Sequence, residues 1–231
     1  VCLGQPDGAA GSLGAAGIRQ WLASGGIERD VKEESRQGVW CTYVRPALDG
    51  AGSWTHQYGT PGNTASSEDT VVKCPLGVLW YGSPGPDKVP SRHARNTAPL
   101  SINGRVYLQG TNLIMCFDAY NGVSYWEKEV QGAARLYVSH TCSNLACRDD
   151  SIFVATGDTC LRLAAEDGAE LARYSLPAMG DDVRRTWAYV AVVGDQLFGS
   201  SSSKNQWTDC VFSIDIRTGK QQWAFKGQQI W

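Results

Sequence analysis

Residues 105–126 read RVYLQGTNLIMCFDAYNGVSYW, and this stretch decides the fold because the chain repeats its layout twice more. The second copy, SIFVATGDTCLRLAAEDGAELA, covers residues 151–172, and the third, QLFGSSSSKNQWTDCVFSIDIRTGKQQW, covers residues 196–223 with an insertion. Each copy has two strand-like runs, a turn ending in glycine and a further run; the turn glycines are Gly122, Gly168 and Gly219. These glycines are 46 and then 51 residues apart, a period that predicts the blades of a β-propeller.

Matched positions before each turn carry matched chemistry. Two sets of large apolar residues align, two positions apart: Met115, Leu161 and Phe212, then Phe117, Leu163 and Ile214. Because side chains alternate across a strand, both sets face one side of their sheet, and we expect that side to be buried. The intervening residues Cys116, Arg162 and Ser213 are smaller or polar, so we expect their side to be less completely covered.

The segments FDAYNGVSYW and SIDIRTGKQQW resemble the tryptophan-docking repeat of pyrroloquinoline-quinone (PQQ) type propellers, which are quinoprotein-like and share the WD40/YVTN-like architecture. In that repeat an Asp, a turn Gly and a Trp four residues later tie adjacent blades together. The resemblance therefore implies structural docking roles for Asp118, Gly122, Trp126, Gly168, Asp215, Gly219 and Trp223. The middle copy departs from the pattern, with Ala164 for the Asp and Ala172 for the Trp, so its blade should pack differently.

The resemblance covers about residues 75–231 and implies an all-β fold: a partial β-propeller of four-stranded antiparallel blades, preceded by a short α/β segment. Typical rings contain roughly four to eight blades. The repeats account for three blades and part of another around GVLWYG, residues 77–82. We therefore expect this chain to be a fragment of a larger ring, with other blades of the same parent chain as its partners.

The same resemblance implies two alternative functions. One is a non-catalytic binding or scaffolding module of a larger protein. The other is part of a PQQ-dependent (quinoprotein) dehydrogenase, with PQQ and calcium in the central channel. The sequence lacks the adjacent Cys-Cys pair that such dehydrogenases commonly place over the quinone, which favours the scaffolding alternative.

Residues 1–48 do not share the repeat, and we expect them to form a separate α/β domain ahead of blades in residues 49–231. Ile18, Trp21 and Leu22 fall on one helical face, and Gly25 with Gly26 predicts the end of that helix. The order of a strand, a helix and two strands resembles the C-terminal end of a class I S-adenosylmethionine-dependent methyltransferase. S-adenosylmethionine would then bind an upstream domain, since the glycine-rich cofactor loop of that family would lie before Val1. The alternative is a plain α/β adapter.

Composition argues against two classes of partner. The net charge is −2 and 19% of the residues are charged, so we expect no nucleic-acid-binding surface. No apolar run approaches the roughly 18 residues that suggest a membrane span. The start, VCLGQPDG, has neither an initiator Met nor a signal-peptide pattern, and it predicts that the segment was cut from a longer protein.

Two loops ahead of the first full copy contain the candidate ligand-binding residues. Arg92, His93 and Arg95 precede a strand in SRHARNTAP, and His56 lies in a Gly- and Pro-rich loop. Arginine binds carboxylates through paired, charge-assisted hydrogen bonds, so these residues predict a site for a small anionic ligand such as a quinone cofactor or a sugar acid. The alternative is that the arginines pair with acids of a neighbouring blade and that His56 packs against Trp54.

The sequence assigns no catalytic residue. Asp118 and Asp215 occupy the repeated turn, where a carboxylate that accepts backbone N–H groups has a structural task.

The eight cysteines contain no CxxC pattern, so we expect no metal site. Cys116 and Cys160 are expected to be buried thiols, while Cys142 and Cys147 are close enough to form a disulfide in an oxidising compartment. A periplasmic or exported location is slightly favoured over the cytoplasm, because propellers of this type are often exported.

Overall fold

The computed structural model describes residues 2–11, 13–85, 87–90, 96–134, 143–203 and 207–230, with the backbone alone for residues 228–230. The chain divides into two compact units, Val1–Leu48 and Asp49–Trp231. Within the described residues, one helix accompanies fifteen strands. That helix is too short to cross a membrane.

The first unit is a small α/β unit. It contains β1 (Cys2–Pro6), α1 (Gly14–Ser24), β2 (Val31–Ser35) and β3 (Gly38–Tyr43). The strand order is β1-β3-β2, and β3 pairs antiparallel with both neighbours. Ile18 and Leu22 of α1 are buried with Cys41 of β3, so the apolar face of the helix covers the sheet.

The exposure of Trp21 differs from the sequence expectation. Its side chain is 59% exposed, while Ile18 and Leu22 are 5% and 2% exposed. At about 100° per residue, Leu22 lies roughly 40° from Ile18 on the helix, whereas Trp21 lies about 60° from Ile18 on the opposite side. Trp21 therefore falls at the edge of the buried stripe, where a short helix on a three-stranded sheet leaves it uncovered.

The second unit contains three antiparallel sheets of four strands each. The first blade comprises β4 (Leu100–Ile102), β5 (Arg105–Gln109), β6 (Leu113–Asp118) and β7 (Ser124–Glu129). The second comprises β8 (Leu145–Arg148), β9 (Ser151–Thr156), β10 (Thr159–Ala164) and β11 (Glu170–Ser175). The third comprises β12 (Thr186–Val193), β13 (Gln196–Ser202), β14 (Thr208–Asp215) and β15 (Gln221–Ile230).

Each blade is an up-and-down sheet whose strands pair in chain order. The first strands of successive blades lie side by side, because β4 contacts β8 and β8 contacts β12. This arrangement is that of propeller blades, which place their first strands nearest the ring axis. The predicted fold class, an all-β partial propeller of four-stranded blades preceded by an α/β segment, is confirmed.

The aligned apolar residues are buried as expected, but the opposite faces of the strands are buried as well. Cys116 and Ser213 are fully buried, and Arg162 is partly buried with its guanidinium over the Phe153 ring. The expectation of a less covered face was wrong for the first two residues. The reason is that blades stack face to face, so a middle blade such as the second contributes to an apolar core on each side.

Trp126 and Trp80 each pack against the turn of the blade that follows them in the chain. Both use the same two contacts, an indole hydrogen bond to a carbonyl and a close approach to a turn glycine. The Trp126 indole N–H donates to the carbonyl of Ala165 at 3.0 Å, and its ring lies over Gly168. A Cβ on Gly168 would come within 2.7 Å of that ring, so only glycine permits this approach. Trp80 repeats both contacts one blade earlier: its indole donates to Ala119 at 2.9 Å and its ring lies over Gly122.

The junction between the second and third blades uses a tyrosine instead. Ala172 is too small to reach the next blade, but Tyr174 lies two residues further on and faces the same side of β11. Its hydroxyl donates to the carbonyl of Ile216 at 2.9 Å, the position that matches Ala119 and Ala165 in the other two turns. The different packing expected for this blade therefore has a specific cause, a shift from indole to phenol.

We expect Tyr174→Phe to lower the free energy of unfolding by about 1–2 kcal/mol, because the change leaves the buried Ile216 carbonyl without its donor. Urea unfolding followed by circular dichroism measures the loss. Tyr81→Phe serves as the control, since Tyr81 is 93% exposed and its substitution should change stability very little. Equal effects of the two substitutions would show that the Tyr174 hydroxyl does not stabilise the junction.

Candidate functional site

Residues 54–56, here called the bridging segment, contact the first strand of all three blades. The backbone of Trp54 pairs in both directions with Ser101 of β4, at 2.7 and 2.8 Å. The carbonyl of Thr55 accepts from the Cys147 N–H of β8 at 2.9 Å. His56 Nε2 accepts from the Val192 N–H of β12 at 3.0 Å. Three consecutive residues thus bind three consecutive blades.

The three partners occupy equivalent positions. Ser101, Cys147 and Val192 are each the residue before the last in their strand, just ahead of the turn that leads to the second strand. Identical positions on neighbouring blades present their backbone groups at the same level. One short segment can therefore form hydrogen bonds with the backbone of all three strands.

His56 is the one residue of the bridging segment that contacts its strand through a side-chain hydrogen bond. Its side chain is 2% exposed, and burial lowers the pKa of the imidazole from 6.5 to about 4. Because Nε2 accepts from Val192, the proton of the neutral ring lies on Nδ1, which is 2.8 Å from the Thr55 hydroxyl. Both ring nitrogens are thus engaged within the protein, and the ring is neutral near pH 7.

A tight turn holds the bridging segment in place. The backbones of His56 and Gly59 pair with each other, and the Thr55 N–H also donates to Gly59. Gln57, inside the turn, accepts from the Ala98 N–H through its side-chain oxygen at 2.8 Å, while its carbonyl accepts from the Trp54 indole at 3.3 Å. These bonds fix the turn against the chain that enters β4.

A buried polar cluster lies at the other end of the first strands, formed by Thr97, Gln109 and Asn144. Asn144 precedes β8, and its amide donates to the carbonyls of Ala133 and Ala155 at 2.6 and 3.0 Å. Its side-chain oxygen accepts from Gln109 at 2.8 Å and from Thr97 at 3.1 Å. Since these donors are engaged with one another and with backbone carbonyls, the cluster joins the first two blades and does not offer open ligand positions.

The predicted anion site cannot be located in the structure. Arg92, His93 and Arg95 lie outside the described residues, immediately before the chain that enters the polar cluster. His56, the fourth candidate, lies in the bridging segment with both ring nitrogens engaged. The candidates are therefore not seen together, and the role of the two arginines and His93 stays a prediction.

The two repeated aspartates bind the backbone of their own turns. Asp118 accepts from the N–H groups of Tyr120 and Asn121 and from the Tyr125 hydroxyl, at 2.8, 3.1 and 2.6 Å. Burial acts to raise the pKa of Asp118, but these hydrogen bonds hold it below its ordinary value. In the third blade, Asp215 accepts from the N–H groups of Thr218 and Arg217, which lower its pKa in the same way.

A cavity of about 310 Å³ lies beside the loop that enters β12. Leu176, Pro177 and Met179 form part of its wall, with Arg184 and Arg185 beside them. Arg185 is held by Asp181 through two hydrogen bonds of 2.6 and 3.1 Å and by Asp209 at 3.1 Å. These ion pairs fix the loop between the second and third blades.

Cys116 and Cys160 are buried thiols, as expected, and burial raises the pKa of each. Cys147 is also buried. Cys142 lies outside the described residues, so its expected disulfide with Cys147 stays a prediction. Within the described ranges, no three His, Cys, Asp or Glu side chains come together as metal ligands would.

Comparison with known proteins identifies the fold. No protein-family model and no curated protein matches the sequence. A europium-containing methanol dehydrogenase has a similar structure, with a TM-score of 0.56 and 21% identity over 77% of this chain and 32% of its own. The quinohemoprotein alcohol dehydrogenase ADHIIG from Pseudomonas putida HK5 also has a TM-score of 0.56, with 19% identity over 76% of this chain and 26% of its own.

Both similarities lie below 25% identity, so they establish the fold and not the activity. The chain has the PQQ-like β-propeller fold, and it spans about a third or less of the two dehydrogenases. BamB from Moraxella catarrhalis is a more distant structural neighbour, with a TM-score of 0.43 and 17% identity.

The fold class raises the question of whether the residues present fit a quinone with calcium. Calcium takes about six to eight oxygen ligands, mostly carboxylates and carbonyls. The described residues do not assemble such a set: the polar cluster is internally bonded, and the Thr55 carbonyl and His56 ring are already occupied by β8 and β12. The described residues therefore do not supply a ligand set that fits the calcium ion.

Proposed function

We propose that this chain is a binding or scaffolding module, built from PQQ-like propeller blades, of a larger protein. The proposal rests on the hydrogen bonds that the bridging segment makes to the three blades. This segment binds equivalent backbone positions on the first strands of three blades, which lie nearest the ring axis. The backbone groups of Trp54, the Thr55 carbonyl and the His56 ring therefore serve to join blades. They are not free to bind a small molecule.

The apolar side chains left exposed support a module that associates through its blades. Trp223 is 46% exposed and Phe225 is 62% exposed on β15, the outermost strand of the third blade. Trp223 holds the same place after its turn glycine that Trp126 holds after Gly122. We propose that Trp223 docks on a further blade, as Trp126 docks on the second.

Equilibrium dialysis against PQQ, with and without calcium, tests this function. We expect the chain to retain no PQQ in a calcium-dependent manner, because the described residues do not provide the oxygen ligands. The same dialysis with excess chelator gives the background. Stoichiometric retention that needs calcium would overturn the scaffolding proposal and favour the alternative of a dehydrogenase fragment.

A methyltransferase-linked parent is the second candidate, and one observation favours it. The first unit has β1 connected through α1 to β2, with β3 inserted between them and antiparallel to both. That layout agrees with the strand, helix and two-strand ending from which the resemblance was drawn. A glycine-rich cofactor loop encoded within roughly 150 residues before Val1 would support this parent. A periplasmic or exported location would argue against it, and both locations stay predictions.

A further inference from the structure

The cavity of about 310 Å³ beside the loop between the second and third blades has the composition of a small-molecule site. Its wall includes the partly buried apolar residues Leu176, Pro177 and Met179, together with Asp158 from the turn between β9 and β10. Small-molecule pockets have volumes of roughly 300–1,000 Å³ and are mostly apolar, with a few polar groups that orient the ligand. This cavity lies at the lower end of that range, so it suits a small ligand.

The loop that forms the cavity is held in place by the protein itself. At its start, the Leu176 N–H donates to the Asp158 carbonyl at 3.2 Å. Further along, the Lys226 ammonium of β15 donates to the Met179 carbonyl and, at 3.1 Å, to the Asp181 carboxylate. A ligand therefore enters a wall that is already ordered and loses little affinity to the ordering of the loop.

Four charged side chains line the cavity, and two of them neutralise each other. Asp181 accepts from Arg185 at 2.6 and 3.1 Å, and these hydrogen bonds, with that from Lys226, hold the pKa of Asp181 below its ordinary value. Arg185 is also paired with Asp209 at 3.1 Å. Neither Asp181 nor Arg185 is left for a ligand.

The other two charged side chains, Arg184 and Asp158, have opposite charges but do not pair with each other. Both are exposed, and among the described residues Arg184 has no hydrogen-bond or ion-pair partner. The Asp158 carboxylate accepts only from the neighbouring Thr159 hydroxyl, at 3.1 Å. A cation and an anion that line one cavity without contacting each other can both be satisfied by a ligand that carries both charges.

We propose that this cavity binds a free apolar α-amino acid. The carboxylate of the ligand contacts the Arg184 guanidinium, which can form two parallel hydrogen bonds with it. The ammonium group contacts Asp158, and the apolar side chain lies against Leu176 and Met179. This inference goes beyond the proposed scaffolding function, because none of these residues belongs to the bridging segment.

L-Leucine is the probe, and two analogues each lack one of its charges. 4-Methylpentanoate has no ammonium group, and 3-methylbutylamine has no carboxylate. Isothermal titration calorimetry on the full chain measures the three affinities. We expect L-leucine to bind with a dissociation constant on the order of 0.1 mM and each analogue to bind at least about tenfold more weakly. Absence of leucine binding at millimolar concentrations, or equal binding of leucine and 4-methylpentanoate, would overturn the inference.

Two variants assign each charge of the ligand to its partner. Arg184→Gln should weaken the binding of L-leucine at least about tenfold and leave that of 3-methylbutylamine unchanged, since the amine has no carboxylate. Asp158→Asn should weaken the binding of L-leucine by a similar factor and leave that of 4-methylpentanoate unchanged. The Asn side-chain oxygen can still accept from the Thr159 hydroxyl, so the turn keeps that hydrogen bond.

Arg29→Gln is the matched control, because Arg29 is an exposed arginine of the first unit. It should change the affinity for none of the three ligands. Far-ultraviolet circular dichroism checks that all three variants keep their β structure. If Arg184→Gln bound L-leucine as tightly as Arg29→Gln does, the guanidinium would not contact the ligand and the inference would fail.

Discussion

Trp126→Ala is expected to lower the free energy of unfolding of the blade unit by about 3–5 kcal/mol. The indole is 8% exposed and lies in the core between the first two blades. Its removal leaves a cavity against Gly168 and takes the donor away from the Ala165 carbonyl. Urea unfolding monitored by far-ultraviolet circular dichroism gives the change, since several other tryptophans complicate fluorescence.

Trp223→Ala is the matched control for this prediction. Trp223 follows its turn glycine at the same distance, but it is 46% exposed, and its ring centre lies 6.3 Å from that of Phe198 in its own blade. We expect its substitution to lower stability by less than about 1 kcal/mol. If both alanine variants lost the same stability, the loss would reflect strand propensity and not the junction between blades.

Acidification from pH 7.5 to pH 4 is expected to remove about 3 kcal/mol of stability through His56 alone. The imidazole has a pKa of about 4 in the folded chain and near 6.5 when unfolded. Between these values the unfolded chain binds the proton and the folded chain does not. The contribution of His56 is therefore fully present above about pH 6.5 and is lost as the pH falls towards 4.

The His56→Gln variant isolates this effect from the titration of carboxylates. The amide oxygen of Gln can accept from the Val192 N–H as Nε2 does, but it does not titrate. We expect the difference in unfolding free energy between the two proteins to shrink by about 3 kcal/mol from pH 7.5 to pH 4. A difference that stays constant over this range would mean that His56 has the same pKa in the folded and the unfolded chain.

Prediction from sequence succeeded where local repetition carried the information. The turn glycines and the aligned apolar residues such as Phe117, Leu163 and Ile214 predicted three blades in this chain and the buried apolar positions of their third strands, because each blade repeats the same alternation and turn. The absence of a Trp at Ala172 also predicted an altered junction. The identity of its replacement, Tyr174, did not follow, because the reach of a side chain to Ile216 depends on how two blades stack.

The role of the loop ahead of the repeats had no comparable local signal. His56 and Val192 are 136 positions apart, and nothing in either neighbourhood marks the other. A histidine in a Gly- and Pro-rich loop predicts a ligand contact as readily as a structural one. The deciding quantity is burial, and burial arises only when β4, β8 and β12 have come together.

The sequence by itself determined the repeating unit: where each blade turns, which large apolar residues of its third strand are buried, and that one copy departs from the docking pattern. The tertiary structure alone decided how the units are joined, through Trp126 and Tyr174 between blades and residues 54–56 across them. The physical reason is one of range. Turn and strand preferences act over a few residues and recur with the repeat, whereas a junction depends on the distance between groups that only the packing of finished sheets brings together.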